Sequence, residues 1–202
     1  QYAIITPFST GGTEKFGFWQ VVEGKNCKHL RGRTVSLSAQ LKVSNASTLA
    51  NVKMAIVEFA GTEDSVSGDP ISVWGASGTN PTLAANYSYV SESGTPSNLS
   101  VTASWASYKV TATLGTTFNN LAVFVWNDDK VYGTTDTLQV SDVQLEDGAF
   151  PTHYDRLPFS HSLSECQRYC YVMNPGANKI VGSGQIFSTT QSICFTVLPS
   201  VL

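Results

Sequence analysis

The sequence predicts an all-β chain: an antiparallel β-sandwich of the jelly-roll type, followed by a short helix and the start of a second β unit. Short segments of alternating apolar and polar residues recur along the chain, and no helical period intervenes before Pro158. Only 13% of the residues are charged, while Ser, Thr and aromatic residues are abundant. This balance is typical of β-sandwiches with polar, uncharged surfaces.

The first half of the chain contains the clearest strands. Within residues 34–45, apolar positions alternate with Ser, Gln and Lys, which predicts a half-buried strand. Residues 51–61 have apolar side chains in both phases and predict a strand that is covered on both faces. The stretch Thr62–Pro96 is rich in Gly, Ser, Asp, Thr and Pro, and it predicts long loops around short strands.

Regular patterns return in the second half, where turn-forming residues separate three further strands. In the last of these strands the apolar phase shifts between Val140 and Val143, which predicts a β-bulge near Ser141 and Asp142. The three strands are predicted within residues 100–114, 119–128 and 136–147.

Two units are predicted, with residues 1–157 forming the sandwich and residues 158–202 forming the junction and the start of a C-terminal β unit. Ser160 or Ser162 can cap a helix after Pro158, with Glu165 completing a capping box. The chain begins and ends inside apolar, strand-like segments. We therefore expect that it continues at both ends and that the sandwich lacks its N-terminal strands.

Charge and cysteine content exclude several classes of function. A net charge of −3 argues against nucleic-acid binding, because nothing here would neutralise a run of phosphates. No apolar run approaches the ~20 residues needed to cross a bilayer, so we expect no membrane insertion. The cysteines form neither a disulfide framework nor a zinc motif, and free thiols suit folding in a reducing cytosol. They are Cys27, Cys166, Cys170 and Cys194.

The last predicted strand and the helix resemble a known family. The sequence VQLEDG at residues 143–148 is followed by an aromatic residue, by YDRLP at residues 154–158 and by ECQRY at residues 165–169. This order resembles the junction of bacteriophage tail-fibre and tail-tip proteins, where a carbohydrate-binding-module-like jelly roll passes into a C-terminal β unit. Ala39 and Gln40 depart from that pattern, since family members often have an aromatic residue in this strand.

The resemblance implies a non-enzymatic component of the virion tail, assembled in the cytoplasm of a bacterial host. It would be part of a tail fibre or receptor-binding protein that mediates or scaffolds attachment to a host-surface glycan. Its expected partners are that glycan and other virion proteins, and a homotrimer is the expected assembly because avidity strengthens shallow sugar sites. Two alternatives remain open: a purely structural virion domain that packs against neighbouring subunits, and a polysaccharide depolymerase.

Sugar recognition requires flat aromatic faces for the apolar side of a pyranose and amides or carboxylates for its hydroxyls. Several residues of the loop-rich segment and of the following strand end supply these groups. Packing in the core is the alternative for the aromatic residues among them. The predicted glycan-contacting residues are Trp74, Asn80, Asn86, Tyr87, Tyr89, Trp126, Asn127 and Asp128.

Neither catalysis nor a resident metal is specified by a complete motif. Asp142 resembles a position that helps to hold a structural calcium ion in related carbohydrate-binding jelly rolls, although calcium takes six to eight oxygens. Capping of the bulge is the alternative role for Asp142. The acidic residues near the loops have no spacing that defines a glycosidase pair, so we predict no catalytic residue. These acids are Glu58, Glu63, Asp64 and Asp69.

Overall fold

Contacts divide the chain into two units, Gln1–Tyr154 and Asp155–Leu202, and each is described by itself. The first unit is an antiparallel β-sandwich and the second contains a helix and a β-hairpin, which confirms the predicted fold class. The computed structural model describes residues 3–5, 15–66, 70–90, 96–129, 133, 135–156, 158–169, 183–188 and 191–195.

The sandwich consists of two four-stranded antiparallel sheets. Its strands are β1 (Ala3–Ile5), β2 (Phe16–Val22), β3 (Thr34–Val43), β4 (Val52–Phe59), β5 (Ile71–Val73), β6 (Thr82–Leu83), β7 (Tyr87–Val90), β8 (Ala106–Thr113), β9 (Asn120–Asn127) and β10 (Leu138–Asp147). Sheet A has the strand order β1-β10-β3-β8, and sheet B has the order β2-β9-β4-β7. Strands β5 and β6 pair separately as a small hairpin. The helix α1 (Gly24–Cys27) and a 3-10 turn (Lys28–Leu30) connect β2 to β3.

The main core lies between the inner faces of the two sheets. The inward half of the alternation predicted for β3 is confirmed, because its five inward apolar side chains are at most 2% exposed. The outward serines Ser36 and Ser38 are buried as well, at 0% and 8% exposure, so the strand is more covered than predicted. The five inward side chains belong to one cluster with the inward residues of β4 and β9, as strand alternation requires. The inward residues of β3 are Val35, Leu37, Ala39, Leu41 and Val43.

Sheet B is covered on its outer face as well. All eight residues of β9 are buried, and seven of the eight residues of β4 are buried, which confirms the prediction of a strand covered on both faces. The outward side chains form a second apolar cluster that includes Phe124 and Trp126 of β9 and Ile71 of β5. The predicted loop region therefore folds over sheet B and forms part of its packing.

The predicted β-bulge is confirmed in β10. Ser141 pairs with Gln40 and Gln144 pairs with Ser38, so two residues of β10 lie opposite one residue of β3. Asp142, in the bulge, has a φ of 50°. Because of the extra residue, the side chain of Val143 packs against the main core. The polar side chains on either side of it project from the outer face of sheet A.

The second unit contains helix α2 (Phe159–Tyr169) and an antiparallel hairpin of β11 (Ser183–Ser188) and β12 (Gln191–Phe195). The predicted cap at Ser160 or Ser162 is wrong, because both residues lie inside α2. The carbonyl of Pro158 instead accepts hydrogen bonds from the amides of His161 and Ser162, at 3.0 and 3.1 Å. None of the helices in the described part of the chain is long and apolar enough to cross a bilayer.

A matched pair of valine substitutions tests the position of the core. Val125→Ala, at a fully buried site of β9, should lower the free energy of unfolding by about 2–3 kcal/mol through lost burial and the cavity left behind. Val73→Ala, at a site that is 56% exposed, should change it by less than about 0.5 kcal/mol. Urea unfolding followed by tryptophan fluorescence measures both, and equal losses would contradict the assignment of the core.

Candidate functional site

Most of the predicted glycan-contacting residues lie on or beside the outer face of sheet B. The register places Trp19 of β2 directly opposite Phe124 of β9, and Gly17 directly opposite Trp126. Tyr87 and Tyr89 project from the edge strand β7, and Trp74 follows β5. We call these six side chains the aromatic layer: Trp19, Trp74, Tyr87, Tyr89, Phe124 and Trp126.

Ring contacts connect the aromatic layer. Phe124 and Trp126 stack with centroids 4.4 Å apart and planes at 12°, and Tyr89 stacks on Trp126 at 5.9 Å. Trp74 lies 6.2 Å from Phe124, and Trp19 meets Tyr87 edge to face at 5.5 Å. Offset and edge-to-face pairs of this kind add stability beyond the area they bury.

Trp126 is at the bottom of the layer and is fully buried. A Cβ atom at Gly17 would lie 2.6 Å from the Cβ of Trp126, so the glycine in β2 is what allows the indole this position. The Trp126 Nε1 donates a 3.3 Å hydrogen bond to Oδ1 of Asp128. Trp126 was predicted to contact a glycan, but no face of its ring is open, and its role in this structure is packing.

The other predicted aromatic residues, Trp74, Tyr87 and Tyr89, are half-buried. The Tyr89 hydroxyl donates to the carbonyl of Pro81 at 2.9 Å, which ties β7 to the hairpin. Burial raises the pKa of the Tyr89 phenol, and the Asp128 carboxylate raises it further. Burial also raises the pKa of Tyr87. Both phenols therefore stay neutral over the physiological pH range.

Asp128 is the centre of a buried ion cluster at the end of β9. Its Oδ1 lies 2.5 Å from Nζ of Lys15, and its Oδ2 lies 2.7 Å from Nζ of Lys53. Lys15 also donates to the carbonyl of Thr79, and Lys53 donates to Oδ1 of Asn80 at 2.5 Å. The predicted site residues Asn80 and Asp128 therefore join the sheet to the hairpin, and Asp128 is 0% exposed.

The two remaining predicted asparagines differ in exposure. Asn127 is fully buried, and its Nδ2 donates to the carbonyl of Asp129 at 2.9 Å. Asn86 is exposed, with a φ of 67°, and its carbonyl accepts a 2.9 Å bond from the amide of Ala60. Of the predicted polar residues, Asn86 alone has an exposed side chain. Within Thr62–Pro96, residues 67–69 and 91–95 lie outside the described residues.

Removing the central charge of the ion cluster tests its role. Asp128→Asn should lower the free energy of unfolding by about 3–5 kcal/mol, because two buried ammonium groups lose their carboxylate. The matched control is Asp147→Asn, whose carboxylate pairs with Arg33 at an exposed site and should cost less than about 1 kcal/mol. Denaturant unfolding measures both. An Asp128 variant as stable as the control would show that the cluster is not structural.

The acidic residues considered for catalysis have structural contacts. Glu58 accepts a hydrogen bond from the amide of Gly115 at 2.6 Å, and Glu63 lies 2.5 Å from Nζ of Lys28. Asp64 accepts from the amide of Gly24 at 2.9 Å and from Nδ2 of Asn120 at 2.6 Å. Asp69 lies outside the described residues.

Ionisation of the Asp64 carboxyl group should make the stability of the fold depend on pH. The hydrogen bond from the Gly24 amide, followed by that from Asn120, holds the pKa of its carboxyl below the ordinary value of about 3.9. A depressed pKa stabilises the folded state above the unfolded-state pKa, and this contribution is lost as the pH falls through the folded-state pKa. Asp64→Asn tolerates the φ of 54° and should lose stability less steeply than wild type below about pH 4. Thermal melts from pH 6 to pH 2.5 test this, and parallel curves would contradict it.

Asp142, the calcium candidate, lies on sheet A and not beside the aromatic layer. Its Oδ1 accepts a 3.1 Å hydrogen bond from the Ser141 hydroxyl. Among the described residues, no group of three or more His, Cys, Asp or Glu side chains could hold a metal ion. The one carboxylate of Asp142 is a small part of the six to eight oxygens that calcium takes, so its calcium role stays a prediction.

Comparison with known proteins adds structural likeness only. No protein-family model matches the sequence, and no curated protein matches it. The chain is similar in structure to a CBM4 module, at 15% identity and a TM-score of 0.39, covering 73% of this chain and 71% of that one. It is also similar to a family 16 carbohydrate-binding module, at 15% identity and a TM-score of 0.38, covering 68% and 73%. The CBM22-1 xylan-binding domain from Paenibacillus barcinonensis Xyn10C gives 12% identity and a TM-score of 0.35, covering 74% and 83%.

Sequence reasoning missed Trp19, which shares the outer face of sheet B with the predicted residues. The available signal was the alternation of β2, which places Gly17, Trp19 and Val21 in one phase. Nothing in the local pattern indicated that this phase meets the folded-back loops. That juxtaposition results from the pairing of β2 with β9, which are about a hundred residues apart in the chain.

Proposed function

We propose that the sandwich is a non-enzymatic glycan-binding domain that uses three of the half-buried side chains of the aromatic layer, Trp19, Trp74 and Tyr87. The observation that carries the proposal is their arrangement: Phe124 pairs with Trp19 and packs against Trp74, and Trp19 in turn meets Tyr87. Each ring keeps part of its surface open while the other part rests on the second apolar cluster. Such rings suit the apolar face of a pyranose.

Preorganisation of the hairpin supports this use. The amide of Gly78 donates to the carbonyl of Asp128 at 3.0 Å, and the amide of Ala84 donates to that of Pro70 at 2.8 Å. Together with the bond from Tyr89 to Pro81, these contacts hold the segment that carries Trp74. A ring that is already ordered loses little conformational entropy when a ligand binds.

More specifically, we propose that the domain attaches a phage-type tail fibre or tail tip to its host. It is supported by the junction sequence at residues 143–169, which resembles that of tail-fibre proteins. A shallow aromatic site binds a sugar weakly, and presentation in a homotrimer would raise the avidity by about 10² to 10⁴. Other virion proteins would then hold the sandwich at the tail.

A second function, structural packing against neighbouring subunits of a virion, is favoured by a different observation. Phe150 is 78% exposed in the first unit, and Phe159 is 81% exposed in the second. Large exposed apolar side chains are typical of surfaces that another chain covers. In this alternative the aromatic layer contributes stability only and binds no sugar.

Tryptophan substitutions distinguish the two functions. On a glycan array probed with the full chain, Trp74→Ala should reduce binding by about tenfold or more, because an aromatic ring at the centre of a site carries much of the binding free energy. Trp105→Ala is the matched control, since Trp105 is 40% exposed and lies outside the aromatic layer. Circular dichroism should confirm that both variants fold. Absence of any glycan bound by the wild type, or equal losses in the two variants, would favour the structural alternative.

A further inference from the structure

The buried ion cluster places a lysine beside a carboxamide as well as beside a carboxylate. Nζ of Lys53 lies 2.5 Å from Oδ1 of Asn80 and 2.7 Å from Oδ2 of Asp128. Lys53 is 6% exposed, and Asp128 is 0% exposed. An amine, a carboxamide and a carboxylate therefore meet at one point that is largely shielded from bulk water.

Three separate parts of the first unit bring these groups together. Lys53 of β4 lies directly opposite Trp126 of β9, so both side chains project from the outer face of sheet B. Asp128 follows β9, and Asn80 belongs to the connection between β5 and β6. The amide of Gly78 donates to the carbonyl of Asp128 at 3.0 Å, which holds this connection against the end of β9.

The ion cluster carries an excess of positive charge. Lys15 and Lys53 share the single carboxylate of Asp128, and no second carboxylate among the described residues contacts either lysine. A buried charge without a full counter-charge destabilises the fold. Conversion of one ammonium group to a neutral amide would remove the excess and leave Lys15 and Asp128 as a matched pair.

We infer that Lys53 and Asn80 form an intramolecular isopeptide bond in the folded chain. Nζ of Lys53 attacks Cγ of Asn80, a new N–C bond forms, the bond from Cγ to Nδ2 breaks, and that nitrogen leaves as ammonia. Nothing is oxidised or reduced, and no co-reactant is consumed. The two residues are 27 positions apart, so the product ties β4 covalently to the hairpin of β5 and β6.

Asp128 is the group that moves the protons. A lysine must lose a proton before its nitrogen can attack, and Oδ2 of Asp128 lies where it can accept that proton. The nitrogen loses a second proton after the attack. The carboxyl group passes both protons, one at a time, to the leaving nitrogen, which departs as ammonium, and the carboxylate is regenerated.

The neighbouring contacts hold both partners of the reaction in place. Nζ of Lys15 lies 2.5 Å from Oδ1 of Asp128, and Nε1 of Trp126 donates to the same oxygen at 3.3 Å, so Oδ2 is left for Lys53. Nδ2 of Asn80 donates to the carbonyl of Pro96 at 3.0 Å. This bond fixes the carboxamide with its oxygen toward Lys53 and its leaving nitrogen toward Pro96.

The amine has a short distance to travel. A C=O bond is about 1.2 Å long, so an amine at Oδ1 of Asn80 reaches Cγ by a small rotation of the Lys53 side chain. Groups held so close react as if at about 10⁵–10⁸ M. Asn80 is the acceptor and Asp128 is not, because an amine adds more readily to a neutral carboxamide than to an anionic carboxylate.

Peptide mapping of the full chain detects the bond directly. Trypsin does not cleave after a lysine whose amine is acylated, so residues 43–109 should remain one peptide, lighter by about 17 Da through the loss of ammonia. A second digestion, at Glu58 and Glu63, opens the chain between the linked residues. The pieces that carry Lys53 and Asn80 should nevertheless stay joined.

Two variants and one control assign the bond. Lys53→Arg keeps the positive charge and removes the nucleophile, because a guanidinium group stays protonated, and it should abolish the joined pieces. Asn80→Ala removes the acceptor and should abolish them too. Lys25→Arg, at an exposed site of α1, should retain them. Circular dichroism shows which variants fold. If a variant does not fold, the wild-type map still decides, since trypsin either cleaves after Lys53 or does not.

The role of Asp128 is tested by rate. With the joined fraction followed over time after cell-free synthesis, Asp128→Asn should slow bond formation by about 100-fold or more, because it removes the proton acceptor. Asp128→Glu keeps a carboxylate and should recover part of the rate. A folded Asp128→Asn chain that reacts as fast as the wild type would overturn this role.

The map also states when the bond itself is overturned. This happens if the folded wild type is cleaved after Lys53 into separate pieces of unchanged mass, if Lys53→Arg still gives joined pieces, or if the cross-link joins Lys15 to Asp128 instead. The inference does not depend on the proposed function, because the bond forms whether or not the aromatic layer binds a sugar. Failure of either is therefore seen in a different experiment.

Discussion

The structure depends on the burial of β9 on both of its faces. Successive residues of this strand point to opposite sides, so Leu121, Val123 and Val125 enter the main core while Phe124 and Trp126 enter the second cluster. A two-layer sandwich would leave the second set in water. The hairpin of β5 and β6 supplies the missing layer, and the tyrosines of the edge strand β7 add to the same cluster from within sheet B. This explains why the region between β4 and β8 is long although it contains little regular structure.

A third layer needs a fixed position, and the buried ion cluster provides it. Asp128 follows β9 directly and contacts Lys15 before β2 and Lys53 in β4. Both lysines also bond to the hairpin, through Thr79 and Asn80. Apolar contacts alone are not directional, whereas the hydrogen bonds that each ammonium group donates are. The cluster therefore sets the position of the hairpin on the sheet. The orientation of Trp74 follows from that position.

Local patterns predicted the parts of the fold that depend on one strand at a time. The alternation of β3, the double burial of β4 and the bulge beside Asp142 were each readable from residue spacing. The candidate sites were less predictable, because they depend on which distant segment covers a face. Trp126 was predicted to contact a glycan but is buried in β9, and no local signal showed that Trp19 would join it. Likewise, the outward Ser residues of β3 predict a solvent-facing side, whereas Ser36 and Ser38 are buried, and nothing in the local pattern shows what covers them.

The two outer faces of the sandwich differ in how their surface side chains are linked to stability. On sheet B the exposed parts of Trp19 and Trp74 belong to rings whose buried parts complete the second cluster, so a change of ring alters the packing as well as the surface. On sheet A, outward side chains such as Gln40 and Ser107 lie away from the main core, while their inward neighbours Ala39 and Tyr108 contact it. Substitutions of such outward side chains leave the core contacts in place. The outer face of sheet A can therefore change at little cost in stability, except at Asp142, where the left-handed backbone restricts the choice to residues such as Asp, Asn and Gly.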